Sequence, residues 1–366
     1  MTGHGILLDR LTVRLGAFSL NHMDIAVGAG ERLVIIGPNG AGKSVTLETI
    51  AGFHSPRQGR IVIDGCEVTR LPPERRNVAF VLQNFGLFSH LSVTGNIMLG
   101  LHRMPRGRRQ DRVAELLRQF GIGHLAARYP QSLSPGEKQR TGLARALAAE
   151  PAVFLFDEPF SALDAATHER MRRELLDFLT DTGIPAIFVT HDRSDAHALG
   201  TALAVMCAGT IVQQGPVHAV SRGPASRFVA GLLGVDNIFP ARLMGESRGV
   251  ATVASGGMTL HAVGRQTINN TSLDVLVAIR AEDIDILPPF SDHAVANRLA
   301  ARILHVVDEG VLSRIGFNCG IALQALAMSR HVREMDLAPG SMVDIAISPE
   351  AIRLLPPDSG WLGATE

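Results

Sequence analysis

A glycine-rich loop that ends in lysine and serine carries the clearest chemical signature of this sequence. It fits the pattern G-x-x-x-x-G-K-[ST] and lies between a short apolar run at Arg32–Ile36 and a helical stretch at Lys43–Ala51. Glycines let backbone N–H groups approach phosphate oxygens, and the start of a helix adds a positive dipole end. Lys43 can place its charge against the β- and γ-phosphates of a nucleotide, and Ser44 can offer a hydroxyl to Mg²⁺. The predicted phosphate site comprises Gly37, Pro38, Asn39, Gly40, Ala41, Gly42, Lys43 and Ser44.

Two adjacent carboxylates follow a second apolar run, Val153–Phe156. Ligands of open α/β sheets bind at the carboxyl ends of the strands, where Asp157 and Glu158 are expected to lie. Asp157 can hold Mg²⁺, mainly through water, and Glu158 can orient and polarise a water that attacks a phosphoryl group. Strands often end in solvated acids, so the pair alone indicates little. Downstream of the glycine-rich loop, it predicts nucleotide hydrolysis.

The elements needed to position these residues alternate along residues 1–235. Short β-like runs occur at Arg32–Ile36, Asn77–Leu82, Val153–Phe156 and Pro185–Thr190. Helical patterns occur at Lys43–Ala51, Arg109–Phe120, Gly136–Glu150 and Ala166–Thr180. This alternation predicts a mostly parallel sheet covered by helices on both faces. Further strand patterns near Ile6–Arg14 and Ile61–Ile63 predict an antiparallel flank.

From about residue 236 to the end, β-like runs dominate and the sequence repeats itself. Asn237–Arg242 resembles Asn297–Arg302, and Ala278–Pro289 matches Ala346–Pro357 in the positions of Ala-Ile, Glu, Ile and Leu-Pro-Pro. Two matching blocks in the same order are poorly explained by chance. We therefore expect two related β-modules packed as one C-terminal domain, residues 236–366.

Bulk composition narrows the class of protein. The chain has 366 residues, which favours at least two domains, and its 35 basic residues balance its 35 acidic ones, so no nucleic-acid partner is expected. Cys66, Cys207 and Cys319 are widely separated and form no CxxC pair, which gives no indication of a disulfide framework or zinc site. No secretory signal and no membrane-spanning apolar run is apparent, so a membrane function would require a partner.

Further motifs in residues 1–235 resemble those of the ATP-binding subunits of ABC transporters. Leu133–Arg140 resembles the family signature, and Ser161–Asp164 resembles its D-loop. Gln83 matches the Q-loop glutamine and His191 the switch histidine. The order and spacing of these motifs agree with the family throughout. The resemblance implies an α/β fold, namely a P-loop NTPase domain of the ABC type with a helical subdomain at about 84–150.

The resemblance also implies a mechanism with ATP and Mg²⁺ as cofactors. Two copies of the chain would associate head to tail, so that Ser134 and Gly136 of one copy contact the γ-phosphate held by Lys43 of the other. His191 would contact the same phosphate and help to hold Glu158. The implied Mg²⁺ ligands are Ser44, Gln83 and Asp157. Besides the phosphate loop, the implied nucleotide contacts are Gln83, Ser134, Gly136 and Asp164.

Two departures from the family pattern bear on activity. Pro135 replaces the first glycine of the usual signature pair, and proline lacks an N–H donor. Since Ser134 and Gly136 are the main contacts in the family, we expect ATPase activity to survive.

In the family, an aromatic residue usually precedes the phosphate loop and stacks on adenine. Phe18 is the candidate here, although packing of its ring in the core is an equal alternative.

The cargo is indicated less directly. Asn84–Ile97 resembles the importer version of the segment after the Q-loop, and the first 235 residues most resemble molybdate and tungstate importers. The C-terminal domain resembles the OB-like TOBE or Mop-like modules of such subunits, but Met328, His331 and Ser348 align with the Thr, Ser and Lys usual around the oxyanion. Met328 offers no donor, so this domain is expected to be regulatory or dimer-forming.

The resemblance implies permease subunits as partners and, indirectly, an extracytoplasmic solute-binding protein. It places the chain peripherally at the cytoplasmic face of the inner membrane. The leading hypothesis is an importer ATPase for molybdate or a related oxyanion. Alternative cargoes are iron, polyamine or sugar, and a further alternative is a soluble ABC ATPase acting on nucleic acid or ribosomes.

Overall fold

The computed structural model describes residues 5–102, 104–160, 164–263, 273–287 and 296–357, apart from the side chains of Gln83 and Asn84. The chain divides into two compact units, residues 1–220 and 221–366. The sequence analysis placed this boundary near residue 235. Residues between the two positions include Ala230 and Val235, which pack in a small cluster with Leu276 and Ala278 of the second unit. That apolar contact associates the segment with the C-terminal part of the chain.

The first unit alternates strands with helices, as expected. Its strands are β1 (Ile6–Leu15), β2 (Phe18–Val27), β3 (Arg32–Ile36), β4 (Gln58–Ile63), β5 (Cys66–Glu67), β6 (Val78–Val81), β7 (Val153–Asp157), β8 (Ala186–Val189), β9 (Ala202–Cys207) and β10 (Thr210–Pro216). Its helices are α1 (Lys43–Ala51), α2 (Val93–Gly100), α3 (Arg106–Gln119), α4 (Pro135–Ala148), α5 (Ala165–Thr182) and α6 (Arg193–Leu199), followed by α7 (Val217–Arg222) at its end.

A six-stranded sheet in the order β10-β9-β3-β8-β7-β6 forms the centre of the first unit. All neighbouring pairs are parallel except β9 and β10. Strands β7 and β8 are buried almost completely, as strands covered on both faces must be. Because β3, β8 and β7 are adjacent and parallel, the segments that follow them meet at one edge of the sheet.

The predicted antiparallel flank is a four-stranded sheet in the order β2-β1-β4-β5. Apolar residues of this sheet, such as Leu8, Leu20 and Ile61, form one core with Leu47 of α1 and Leu155 of β7. Helix α1 is thus fixed between the two sheets. This packing sets the position of the helix start at Lys43, where the predicted phosphate site lies.

Helices α2, α3 and α4 are inserted between β6 and β7, which agrees with the predicted helical subdomain. Asn96, fully buried in α2, fixes the segment that follows β6. Its Oδ1 accepts from the amide of Phe88 at 2.8 Å, and its Nδ2 donates to the carbonyl oxygens of Phe88, Leu91 and Ser92 at 3.1 Å. A single side chain therefore shapes the loop between β6 and α2.

The second unit contains two five-stranded antiparallel sheets. Its elements are α8 (Arg227–Leu232), β11 (Asn237–Ser247), β12 (Val250–Ser255), β13 (Met258–Val263), β14 (Asp274–Ile279), β15 (Ile284–Leu287), β16 (Arg298–Asp308), β17 (Leu312–Asn318), β18 (Ala322–Met328), α9 (Ser329–Glu334), β19 (Met342–Ile347) and β20 (Arg353–Leu355). The sheet orders are β13-β12-β11-β14-β20 and β15-β19-β16-β17-β18. Each sequence repeat therefore contributes its last strand to the sheet of the other repeat.

Two equivalent asparagines at the start of the repeats join the two modules. Asn237 Nδ2 donates to the carbonyls of Ile279 and Gln324, while its Oδ1 accepts from the amide of Gln324 at 2.6 Å. Asn297 makes the same three bonds, to Ile347 and His261. The repeated Asn thus has a physical role, because each buried amide satisfies backbone groups of both modules.

Candidate functional site

The phosphate loop, residues 37–44, connects β3 to α1. Gly40 and Gly42 have φ angles of 78° and 103°, in the left-handed region that favours glycine. A Cβ atom at Gly42 would lie 2.5 Å from the ring of Phe18, so larger residues are excluded there by contact as well. Pro38 and Asn39 are exposed, whereas Ala41 is buried. The loop thus exposes its outer turn directly before the N-terminus of α1.

The Lys43 ammonium lies against the phosphate loop. Its Nζ donates to the carbonyl oxygens of Gly37 at 2.8 Å and Pro38 at 3.0 Å, and the residue is only 7% exposed. Burial lowers the pKa of Lys43, and the nearby carboxylates of Glu158 and Asp157 oppose that effect. A desolvated cation interacts more strongly with an anion than one in water, so this position suits a polyphosphate.

Ser44 and Asp157 meet across the end of the sheet. Ser44 Oγ donates to Asp157 Oδ1 at 3.2 Å. Burial raises the pKa of Asp157, and the carboxylate of Glu158 adds to this, while the Ser44 hydrogen bond opposes it. A hydroxyl beside a partly buried carboxylate is an oxygen donor set suited to Mg²⁺, and a cation there would favour the ionised carboxylate. Gln83 begins a short 3₁₀ helix after β6, and its side chain lies outside the described residues.

Glu158 and His191 are brought together by the neighbouring strands β7 and β8. The Glu158 backbone has φ of 45°, uncommon for a residue other than glycine, and its amide donates to the carbonyl of Val189 at 2.9 Å. Its Oε1 lies 3.2 Å from His191 Nδ1. The turn directs the Glu158 carboxylate away from the strand axis toward the exposed imidazole. Such strained backbone is frequent at functional sites.

Phe18 lies beside the phosphate loop, with its ring tip against Gly42. The ring is partly buried and packs against the core of the first unit. This position is compatible with both readings of the sequence, a platform for adenine or a core residue. Adenine stacking by Phe18 therefore stays a prediction.

The signature segment begins α4. Ser134 is the N-cap residue, and a reciprocal capping box joins it to Glu137: Ser134 Oγ accepts from the Glu137 amide at 3.4 Å, and the Ser134 amide donates to Glu137 Oε2 at 2.7 Å. Because Ser134 Oγ accepts in this box, its O–H can donate to another group. A Cβ atom at the buried Gly136 would contact Arg170 Nη2 at 3.5 Å, so a cation lies near this helix start. The dipole of α4 and the guanidinium charge of Arg170 both favour binding of an anion at the start of this helix.

Pro135 occupies the first position of α4, where a backbone N–H has no intrahelical partner. Replacing it with glycine is therefore expected to change the ATPase rate by less than about twofold and to lower stability by about 0.4–1 kcal/mol through chain entropy. ATPase assays and thermal unfolding of Pro135→Gly check this. A large gain in rate would show that the missing N–H impairs the wild-type site.

Asp164 is the N-cap of α5 and lies at the end of the predicted D-loop. Its Oδ1 accepts from the Thr167 amide at 3.0 Å, and that bond lowers the pKa of Asp164. The other D-loop residues, 161–163, lie outside the described residues. Asp164 is exposed and ionised, which leaves its second oxygen able to accept from a neighbouring molecule.

Sequence reasoning missed Arg145, which joins α4 to the segment after Gln83. Its Nη1 donates to the Gly86 carbonyl at 2.7 Å and its Nη2 to the Phe85 carbonyl at 2.6 Å, while the guanidinium lies 5.7 Å from the Phe88 ring centroid. Burial lowers the pKa of Arg145. The signature helix and the Q-loop are thus directly coupled. Nothing in the local sequence distinguishes this arginine from a solvated one.

In the second unit, the residues aligned with a family oxyanion site are poor anion ligands. Met328 is 64% exposed and precedes α9, and His331 is exposed within that helix. Ser348 Oγ donates to the carboxylate of Glu350 at 2.8 Å. A thioether and a hydroxyl already bound to a carboxylate provide little for an anion, and oxyanion binding by this domain stays untested.

Comparison with known proteins shows which protein family this chain resembles. The profile of the family described as ABC transporter matches residues 20–161, and that of the TOBE domain matches residues 277–355. The molybdate/tungstate import ATP-binding protein WtpC of Pyrococcus horikoshii is 36% identical over 342 residues, covering 93% of this chain and 96% of that protein. The chain belongs to the ABC importer ATPases. The fold class and enzyme class expected from the sequence are thereby confirmed.

Other relatives of this ABC importer ATPase carry different cargo names. The putative 2-aminoethylphosphonate import ATP-binding protein PhnT of Salmonella typhimurium is 36% identical over 330 residues, 88% of each chain. The sulfate/thiosulfate import ATP-binding protein CysA 2 of Chromobacterium violaceum is 35% identical over 349 residues, 94% of this chain and 93% of that protein. Similarity of this degree establishes the ATPase and leaves its cargo open.

Solved structures resemble the N-terminal part of the ABC importer ATPase. A dimeric ATP-binding cassette, MJ0796, in a post-hydrolysis state with ADP and Pi, is 28% identical with a TM-score of 0.50, covering 58% of this chain and 98% of that chain. The protein cbiO1 of Clostridium perfringens, part of the ABC transporter complex cbiONQ, gives a TM-score of 0.55 at 27% identity, with coverage of 64% and 96%. Within the part of the chain that the structure describes, no helix is long and apolar enough to span a membrane.

Proposed function

We propose that this ABC importer ATPase hydrolyses ATP with Glu158 as the residue that orients and polarises the attacking water. The 3.2 Å contact between Glu158 and His191 supports this role, because the imidazole can hold the carboxylate in place. Lys43 and the amides of the phosphate loop bind the phosphates. Ser44, Asp157 and Gln83 would hold Mg²⁺, which would supply positive charge to the phosphate oxygens when bound. His191 contacts the γ-phosphate, and Phe18 lies against the adenine.

In this proposal, the active form of the protein is a dimer of two copies of the chain. Ser134 and Gly136 of one copy close over the nucleotide on Lys43 of the other, and Asp164 lies at the same interface. The dimeric form of the similar cassette MJ0796 supports the arrangement. So does the start of α4, where the capped Ser134 hydroxyl and the nearby guanidinium of Arg170 favour an anion. ATP binding would favour the closed dimer and hydrolysis the open one.

The dimer acts on membrane permease subunits from the cytoplasmic face of the inner membrane, as a peripheral protein. The segment after Gln83 supplies the contact: Phe88 and Leu99 are large apolar side chains that are 48% and 44% exposed. The name of cbiO1, part of a transporter complex, supports such an assembly. An extracytoplasmic solute-binding protein delivers cargo to the permease. Residues 236–366 form the regulatory or dimer-forming domain.

The proposed cargo is molybdate or a related oxyanion. The observation that carries this assignment is the match with molybdate/tungstate import proteins over nearly the whole length, including the TOBE region. The similarity of the phosphonate and sulfate import proteins makes those anions the second candidates. All three named cargo classes are oxyanions, which disfavours the alternatives of iron, polyamine or sugar.

Uptake measurements in a strain that lacks this gene test the cargo. Complementation with the wild-type chain is expected to restore uptake of labelled molybdate, and complementation with Glu158→Gln is not. Labelled sulfate and 2-aminoethylphosphonate are measured in parallel. If the wild-type chain restores uptake of sulfate or 2-aminoethylphosphonate but not of molybdate, the assignment passes to that anion. If loss of the gene leaves uptake of all three anions unchanged, the oxyanion proposal is overturned.

Direct binding of molybdate by the full chain is a separate prediction. Since Met328 and Ser348 provide poor anion ligands, titration calorimetry of the wild-type protein with molybdate is expected to show no micromolar binding. Sulfate serves as the control for unspecific heat. Saturable micromolar heat with molybdate alone would show that the C-terminal domain senses the oxyanion.

A further inference from the structure

His168 lies in the first turn of α5, where its amide donates to the carbonyl of Asp164 at 2.9 Å. Its imidazole is stacked on the ring of Phe160, with centroids 5.0 Å apart and an interplanar angle of 27°. On its other side, Nε2 lies 2.6 Å from Oδ1 of Asp195. Phe160 comes two residues after Glu158, and Asp195 belongs to α6, which begins just after His191. The His168 side chain therefore joins α5 to two segments, the one that follows Glu158 and the one that follows His191.

The carboxylate of Asp195 is almost completely buried, with 4% of its side chain exposed. Burial raises the pKa of Asp195, while the hydrogen bond and charge of His168 oppose that effect. Arg172 Nη1 lies 3.5 Å from the same carboxylate oxygen and also pairs with Glu169. The other titratable groups that line the same cavity as His168 and Asp195 are Glu158, His191 and Asp192.

The oxygen and nitrogen atoms of His168, Asp192 and Asp195 are close enough to suggest a metal site, but their bonds argue against it. Asp192 Oδ1 accepts from both the amide and the hydroxyl of Ser194 at 2.7 Å. Asp195 already has a cation beside it in Arg172. The cluster is therefore better explained as an ion-pair network that holds α6 against α5.

We infer that His168 is a positioning residue, which fixes the Glu158 turn and the His191 loop relative to the start of α5. A cavity lined by Glu158, His168, His191 and Asp195, among others, lies where these segments meet. If the pair to Asp195 is lost, α6 is held to α5 through the Arg172 contacts with Asp195 and Ser194, and this weaker attachment lets His191 shift relative to Glu158. Small misplacements of a positioning group reduce turnover strongly. This inference rests on the proposed roles of Glu158 and His191.

The geometry also predicts which substitution preserves the role. An arginine at position 168 can keep the contact with the Asp195 carboxylate and the stacking on Phe160, because its guanidinium is planar and always charged. Alanine removes both contacts, and glutamine keeps only a hydrogen bond.

The test compares the ATPase kinetics of His168→Ala, His168→Gln and His168→Arg with wild type. We expect kcat to fall about tenfold in His168→Ala with KM for ATP nearly unchanged, to fall less in His168→Gln, and to be retained in His168→Arg. His124→Gln, which removes an exposed histidine of the helical subdomain, is the control.

Unchanged kcat in His168→Ala would overturn the inference, as would equal losses of kcat in His168→Arg and His168→Ala. If His168→Ala does not fold, the inference is tested by comparing kcat of His168→Gln and His168→Arg with kcat of the wild type. Glu158→Gln is measured alongside. A Glu158→Gln variant with wild-type activity would contradict the proposed hydrolytic site, whereas an inactive one together with wild-type-like His168 variants would contradict the positioning role alone.

Discussion

Glu158→Gln is expected to hydrolyse ATP at least about 100-fold more slowly than the wild-type chain while still binding it. Glutamine keeps the size of the side chain, and its amide can still contact His191, but it cannot polarise water as a carboxylate does. The phosphate loop and Lys43 are untouched, so nucleotide affinity should remain. ATPase rates with Mg²⁺ at rising protein concentration, together with an ATP-binding titration, measure the two effects separately.

The wild-type rate should increase more than linearly with protein concentration, because the proposed site is completed by a second copy. Glu115→Gln is the matched control, since Glu115 makes an exposed ion pair with Arg112 on the helical subdomain. Such a pair contributes little to stability, and its loss should leave turnover unchanged. A Glu158→Gln variant that keeps more than a tenth of the wild-type rate would exclude Glu158 from the role proposed here.

The sequence predicted well where the proposed site residues lie in the fold, because these residues belong to local motifs on regular elements. The loop at 37–44 and the carboxylates 157–158 each follow a buried strand, and parallel strands place their ends at one edge. The order β3-β8-β7 then brings Ser44 to Asp157 and Glu158 to His191. The ends of the helices were predicted less accurately: α3 begins at Arg106, whereas the sequence pattern indicated a start at Arg109.

Interactions between single residues far apart in the chain could not be predicted. His168 and Asp195 are separated by 27 positions, and Arg145 by 60 positions from the carbonyl of Phe85. Each is one polar residue in an amphipathic helix, where the usual expectation is a solvated side chain. The repeat in residues 236–366 was visible, but the exchange of β15 and β20 between the modules was not, because strand order is not encoded in periodicity.

Arg76 provides the largest expected effect on stability. Its side chain is 2% exposed and donates to four backbone carbonyls: Leu71 at 2.8 Å, Thr69 at 2.9 Å, and Thr49 and Ile50 at 2.7 and 3.0 Å. Thr49 and Ile50 lie in the last turn of α1, where carbonyls lack the usual helical partner four residues on, and the Gly52 amide shares its N–H between Glu48 and Thr49. The guanidinium therefore satisfies the end of the helix that begins at Lys43. Burial lowers the pKa of Arg76, although an arginine stays charged.

Replacing Arg76 with methionine is expected to destabilise the first unit by about 3–5 kcal/mol, because several buried carbonyls lose their donors at once. For a unit of this size, that corresponds to a decrease of about 10 °C in the midpoint of thermal unfolding. Arg75→Met is the matched control, since Arg75 is the exposed neighbour and should change little. Arg76→Lys should be intermediate, as a single ammonium cannot reproduce the planar fork of donors. Equal midpoints for Arg76→Met and Arg75→Met would mean that water replaces the guanidinium at no cost, and the end of α1 would then be held by apolar packing alone.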